Sequence, residues 1–271
     1  MNFSTVIAPH AEPLGLAEAR LHLKSAGTED DALITGAVAA VRAYAEQETS
    51  QQLVAGRYRL TLDAFPANAA PIVILRVPVL EVVSVQHTDS AGALQTLVEG
   101  TDYHVDLQAQ PARIAPLPGS TWPSTESGRL AAVSITDIAG HAAPMTADAV
   151  ADTVTLRGWP ALAVDAALRF SNSGGALPAP LQPDTDYYVR TAPGAGVYTL
   201  AATVGGALLD ITTAGTGAHF VGAVPEGLKA WMKLRLGTLD TARQDVIAGV
   251  SVNPLPFVDR LLDPYRLYAR C

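Results

Sequence analysis

Val41-Arg42-Ala43-Tyr44-Ala45-Glu46 leads into Leu53-Val54-Ala55-Gly56-Arg57-Tyr58-Arg59-Leu60-Thr61-Leu62, and between the two stretches the spacing of apolar residues changes. Upstream, Ile34, Ala37, Val38, Val41, Tyr44 and Ala45 recur with a period near 3.6, the pattern of a helix with one buried face. Thr35, Arg42, Glu46 and Gln47 fall on the opposite face. From Leu53 the period is two: Tyr58, Leu60 and Leu62 alternate with Arg57, Arg59 and Thr61, as in a half-buried strand. The switch predicts an α+β fold.

Working towards the N-terminus, Leu16–Leu23 is a short run of good helix formers that Gly27 would stop. Thr28 followed by Glu29, Asp30 and Asp31 suits the start of the next helix, where acids meet the positive end of the dipole. Working outward the other way, strand-like runs follow at Ile72–Leu75, Val82–His87, Tyr103–Leu107 and Leu130–Ile138, separated by Asn, Asp, Gly and Pro turns.

After Gly140 charge becomes sparse and Ala, Thr and Gly frequent. Strands are expected at Thr153–Leu156, Ala167–Phe170, Tyr187–Arg190, Tyr198–Leu200 and Leu208–Ile211, which suggests a small β-sandwich or barrel. Pro225 then opens a helix with Leu228, Trp231, Met232, Leu236 and Leu239 on one face. A proline-punctuated tail closes the chain. The expected organisation is a core formed by residues 1–141 and 222–252 together, an inserted all-β, sandwich-like domain at 142–221, and a docking tail at 253–271.

Of the 271 residues 49% are hydrophobic and 16% charged, which excludes a disordered chain. The net charge of −8 argues against nucleic-acid binding through a basic surface. A single cysteine, Cys271, excludes an internal disulfide and a cysteine-based zinc site. Apolar runs are too short to span a bilayer, and Met1–Thr5 lacks the basic start of a secretory signal.

Candidate chemistry is thin. Asp102, His104 and Asp106 would share one strand face and could hold a divalent metal, but the plainer reading is a solvated outer face. None of the six histidines lies in a His-Glu-x-x-His pair, and no nucleophile elbow or phosphate loop is present. Trp122, Trp159 and Trp231 could form a stacking platform, although Trp231 falls on an apolar helix face. No catalytic, cofactor-binding or metal residue is assigned, and no cofactor is expected.

In order along the chain, several motifs resemble the head–tail connector (adaptor, or head completion) proteins of long-tailed bacteriophages. They are Pro13-Leu14-Gly15-Leu16-Ala17-Glu18-Ala19-Arg20-Leu21-His22-Leu23, Asp30–Ile34, Ala39–Glu46, Tyr58–Pro66, Val82–Val85, Pro111–Pro116 with Gly119 and Trp122-Pro123, Val224–Lys229, and Leu255-Pro256 to Leu261-Leu262-Asp263-Pro264-Tyr265-Arg266. The resemblance covers both ends, about two-thirds of the chain, and leaves out residues 142–221, which look like the small β modules scattered through phage structural proteins.

The resemblance implies a non-enzymatic virion part at the neck, assembled in the host cytoplasm. It implies a homo-oligomeric ring, typically dodecameric, beneath the portal protein. Such a ring joins head to tail, extends the channel for double-stranded DNA without binding it specifically, and meets a downstream stopper or terminator protein, with no membrane involved. It also implies a C-terminal segment that docks on the portal, with Leu255, Phe257, Leu261, Leu262 and Tyr265 as anchors. The bland alternative for that tail is packing on its own subunit. A second functional reading is a tail or decoration protein that binds host-surface glycan through the β insert, using Trp159, Tyr187, Tyr188 and Tyr198. A third, a glycan-cleaving hydrolase, would draw its carboxylates from Asp165, Asp184, Asp186 and Asp210.

Overall fold

The computed structural model describes residues 2–241 and 256–267. In chain order the elements are β1 (Asn2–Ile7), α1 (Leu16–Leu23), α2 (Asp31–Thr49), β2 (Gly56–Leu62), β3 (Ile72–Ile74), β4 (Val79–Thr88), β5 (Leu94–Leu97), β6 (Tyr103–Asp106), β7 (Ala112–Pro116) and β8 (Val133–Ala139). Then come β9 (Ala142–Asp148), β10 (Thr153–Leu156), β11 (Ala167–Leu168), β12 (Phe170–Ser173), β13 (Tyr187–Gly194), β14 (Val197–Ala201), β15 (Ala218–Gly222), α3 (Glu226–Thr241) and α4 (Pro256–Arg260). They divide into two compact units, residues 1–9 with 55–140 and residues 10–54 with 141–271.

The first unit is all β. Its five-stranded sheet has the order β1-β2-β8-β4-β5, and every pairing is antiparallel. A three-stranded sheet, β3-β7-β6, covers one face. The core between them is made of inward residues of both sheets: Leu60, Val82, Val85, Val133 and Ile135 from one, Ile72, Ile74, Tyr103 and Ile114 from the other. Trp122 seals this core, stacked on Phe65 at 4.7 Å, and its Nε1 donates to the Ala70 carbonyl at 3.0 Å.

In the second unit a seven-stranded antiparallel sheet runs β11-β13-β14-β10-β9-β15-β12. The strands at its two ends are consecutive in the chain, with only Arg169 between them. Ala167 and Leu168 pair with β13, while Phe170–Ser173 pairs with β15. The Arg169 carbonyl itself accepts from Gly222 N at 2.8 Å. One bent strand therefore joins both ends, and the sheet closes on itself as a barrel. Val154, Leu156, Leu168, Phe170, Val189, Leu200 and Ile211 are buried.

The helices belong to this second unit. Buried positions Ile34, Val38, Val41 and Ala45 on α2 face Leu228, Trp231, Met232 and Leu236 on α3, and the same core includes Ala142 of β9, Phe220 of β15, Val258 and Leu262. Trp231 is fully buried and stacks on Tyr44 at 5.6 Å. The tip of β12 is tied to α1. Ser173 Oγ accepts from Gly15 N at 2.6 Å and donates to Glu18, while Lys233 of α3 reaches Glu18 at 2.5 Å. Burial pushes the Glu18 carboxyl up, but the hydrogen bonds from Lys233 and Ser173 outweigh it and hold it below the usual range. Gly174, at φ +76°, lets this approach happen, since a Cβ there would lie 2.7 Å from Ala17 Cβ.

The α+β class stands, with a large strand content. The chain breaks between residues 140 and 141, beside the expected boundary at 141/142, but the units are composed differently from the expected core and insert. The helices share a core with residues 142–222 rather than with residues 55–140. The physical reason is that Ala142 and Phe220, at the two ends of the β section, supply the apolar surface that the helix faces need. Of the two forms expected for the β section, sandwich or barrel, the sheet takes the closed one.

Locally, Leu208–Ile211 makes only one bridge, Leu208 to Ala201, and is not a strand. Lys24 at φ 56°, not Gly27, ends α1. Leu239, expected on the buried face of α3, is 46% exposed.

Candidate interaction surfaces

Residues 256–267 are held by their own unit. Asp259 accepts from Arg235 and from Trp231 Nε1, the latter at 3.4 Å. Gln51 Nε2 donates to the Tyr265 carbonyl at 2.7 Å, Leu267 N donates to the Thr49 carbonyl at 3.0 Å, and Arg266 meets Glu48 at 3.2 Å.

Of the five anchors expected for the tail, Leu262 is buried in the helical core, and Leu261 and Tyr265 pack against it partly buried. Phe257 lies on α4, Leu255 lies outside the described residues, and the Phe257 side chain does as well. Three anchors are thus brought together, on the protein's own α3 and α2.

An apolar groove of about 500 Å³ lies between α2 and α3, lined by Leu23, Leu33, Gly36, Ala40 and Leu239. It continues past Leu239 to Tyr44 and Trp231. Leu33 had no assigned role in the sequence, and Tyr44, expected on the buried face of α2, is 50% exposed. Their signal was there, since both are large apolar groups at the border of the α2 stripe, but that position looks the same for a core margin and for an open groove.

The acidic candidates resolve into turn chemistry. Asp102 accepts from Val98 N at 2.8 Å, and Asp106 accepts from Gln108 N, Ala109 N and Arg113, the last at 2.6 Å. The Arg113 hydrogen bond holds the Asp106 carboxyl below the usual range. His104 is exposed. Among the described residues no group of three or more His, Cys, Asp or Glu is placed to hold a metal ion.

The aromatic residues of the glycan reading are mostly turned inward. Tyr187 and Tyr198 are buried, and their hydroxyls accept from Gln182 N at 2.9 Å and Leu162 N at 3.1 Å. Tyr188 and Trp159 are partly exposed.

Two buried titratable groups had no signal in the sequence. Asp137, on β8, is fully buried and neither carboxyl oxygen has a hydrogen-bond partner. Burial pushes it up to about 7 against the opposing charge of Arg76. His141, in the second unit, is partly buried with Nε2 2.5 Å from Gln51 Oε1, and burial pushes it down to about 4.

These features define a class: a two-unit α+β chain whose one unit is an open β-sheet pair and whose other combines a closed barrel with a helical layer. No protein-family model matches the chain, and no curated protein matches it. Solved structures do share its fold. One is a chain from the neck of an empty gene transfer agent particle computed with C6 symmetry, at 17% identity and a TM-score of 0.58. Another comes from the virion of the native gene transfer agent particle, at 18% and 0.58, and a third from the neck of the native particle computed with C12 symmetry, at 18% and 0.56. Each comparison covers 100% of this chain and 98% of the other. The likeness therefore includes the β section 142–221, so the part that the sequence resemblance left out belongs to the shared architecture.

Proposed function

We propose that this chain is a non-enzymatic structural subunit of the neck of a phage-like particle. In this reading copies assemble as a ring of twelve beneath the portal protein, join head to tail, and line part of the channel for double-stranded DNA. The observation that carries it is the likeness along the whole chain to chains of gene transfer agent necks. The ordered motifs at both ends of the sequence support the same reading. A net charge of −8 suits a wall past which DNA slides without sticking.

The portal-docking tail is part of the proposal in a narrower form. Leu261, Leu262 and Tyr265 already have partners in their own subunit, so portal contact would fall to Leu255 and Phe257. The downstream face would meet a stopper or terminator protein.

The test is to add the purified chain to portal-bearing heads and image the product by cryo-electron microscopy. A ring of this chain directly beneath the portal is the expected result. Density for the chain at the tail tip or on the capsid surface, with none at the neck, would overturn the reading.

A further inference from the structure

The five-stranded sheet of the first unit ends in two open edges, β1 and β5. An open edge offers a row of unpaired N–H and C=O groups, which proteins usually blunt with charge, proline, shortness or a cover. The other described edges are treated that way. The seven-stranded sheet closes on itself, β3 has three residues between Pro71 and Pro78, and β6 carries His104 and Asp106 within its four residues. By contrast, the two strands themselves, Asn2-Phe3-Ser4-Thr5-Val6-Ile7 and Leu94-Gln95-Thr96-Leu97, contain no charged residue and no proline. Leu94 and Val98 are 68% and 57% exposed beside one edge, Val6 and Ile7 43% and 39% along the other.

The two edges also match each other. Register places Asn2, Thr61, Ser134, Gln86 and Thr96 on one row across the sheet. Phe3, Leu60, Ile135, Val85 and Leu97 form the next, and all five face the core. With five strands in wholly antiparallel order, β1 and β5 run in the same direction. We propose that β5 of one copy pairs with β1 of the next, in parallel, so that Leu97 lies beside the neighbour's Phe3 and the sheet continues from subunit to subunit. The occupant is a second copy because one chain presents both halves of the contact, on one sheet, at one height and with one polarity. A contact between two different patches repeats head to tail, and closes as a ring when the rotation allows. The inference rests on the ring reading above and names the surface that builds the ring.

The test uses the full chain with Cys271→Ser, into which Thr96→Cys is combined with Asn2→Cys, its neighbour in this register. Under mild oxidation the double variant should give a covalent ladder of multimers, and each single variant at most a dimer. A second set needs no oxidation. Asn2→Asp with Thr96→Asp should lose the ring on portal-bearing heads while keeping the wild-type circular dichroism, and Asn2→Lys with Thr96→Asp should restore it. A ring that forms in the double-Asp variant, with no ladder from the cysteine pair, overturns the pairing and leaves the ring reading standing. Double-Asp rings that form but fail to join the tail assign the edge to another protein's strand and also overturn it. A wild-type chain that forms no ring, alone or on heads, overturns both.

Discussion

The barrel at residues 142–222 and the sheet at the centre of residues 55–140 solve the same problem in opposite ways. Each is antiparallel and each buries one face, yet one unit closes its sheet with a single bent strand while the other leaves two uncharged edges bare. The closed sheet has spent all its strand-pairing capacity inside the subunit. The open one keeps a row of donors and acceptors for use outside it. The contrast suggests a division of labour within one chain, with the barrel serving the subunit's own stability and the open sheet serving assembly.

The sharpest way to break that contrast is at the closing strand. Phe170 is 2% exposed, directly after the bend at Arg169, and its ring lies 6.1 Å from that of Tyr187. Phe170→Ala should cost about 3–5 kcal/mol. Thermal unfolding should show the loss, and hydrogen exchange should place it in the barrel and in α1–α3 together, because they share a core. Exchange that rises in the barrel alone would contradict the shared core.

Next in size is the orphaned carboxylate in the open unit. Asp137 keeps its proton up to about pH 7 when folded, while in the unfolded chain it would release it near 3.8. Between those values the folded state binds more protons, so its contribution to stability falls as pH rises. Raising a carboxyl by that much corresponds to roughly 4 kcal/mol. Asp137→Asn should therefore raise the melting temperature at pH 8 and leave it little changed at pH 4.

His141 in the other unit has the opposite sign. Its ring stays neutral down to about pH 4, whereas the unfolded imidazole would take a proton near 6.5. Stability is lost as pH falls through that window, by less than roughly 3 kcal/mol because the ring keeps some contact with solvent. His141→Gln should flatten the loss between pH 6.5 and 4. Denaturant midpoints of both variants across pH would check the two signs at once.

The smallest effect tests the link between barrel and helices. Ser173→Ala removes the acceptor for Gly15 N and the donor to Glu18, and should cost about 1–2 kcal/mol. Faster exchange at the α1 amides, with β10 and β14 unchanged, is the expected readout.

Much of the element pattern was legible because many elements have one wet face. α2 declares itself through Ile34, Val38 and Val41, and β10 occupies Thr153–Leu156 as the alternation requires. What could not be read was pairing. β9 begins Ala142-Ala143-Pro144, with no alternation and a proline, and is a strand because neighbours on both sides hold it in the barrel. Ile211 looks like part of a strand but is buried in a loop whose amide donates to Asp152 at 2.9 Å.

The helix stripe announces that something covers α2 without saying what, so Phe220 and Ala142 could not be named from it. The same holds for the tail. An apolar Leu261-Leu262 reads alike whether it is to meet α3 or another protein. As for the edge strand β1, the absence of charge over Asn2–Ile7 was visible, but a segment with exposed residues throughout most of its length gives no period, and β1 only becomes an edge once β2 is beside it.

The division of the chain has a consequence for how the protein emerges from the ribosome. Synthesis runs from the N-terminus at roughly 5–20 residues per second. The open-sheet unit has all its parts once Gly140 has been made. The helical unit starts earlier, with α1 and α2, but cannot close until α3 brings Trp231 and Met232 to them. For on the order of ten seconds, the apolar stripe of α2 waits uncovered after the other unit has all its parts. The apolar stripe of α2 is thus left without its cover from its own synthesis until that of α3.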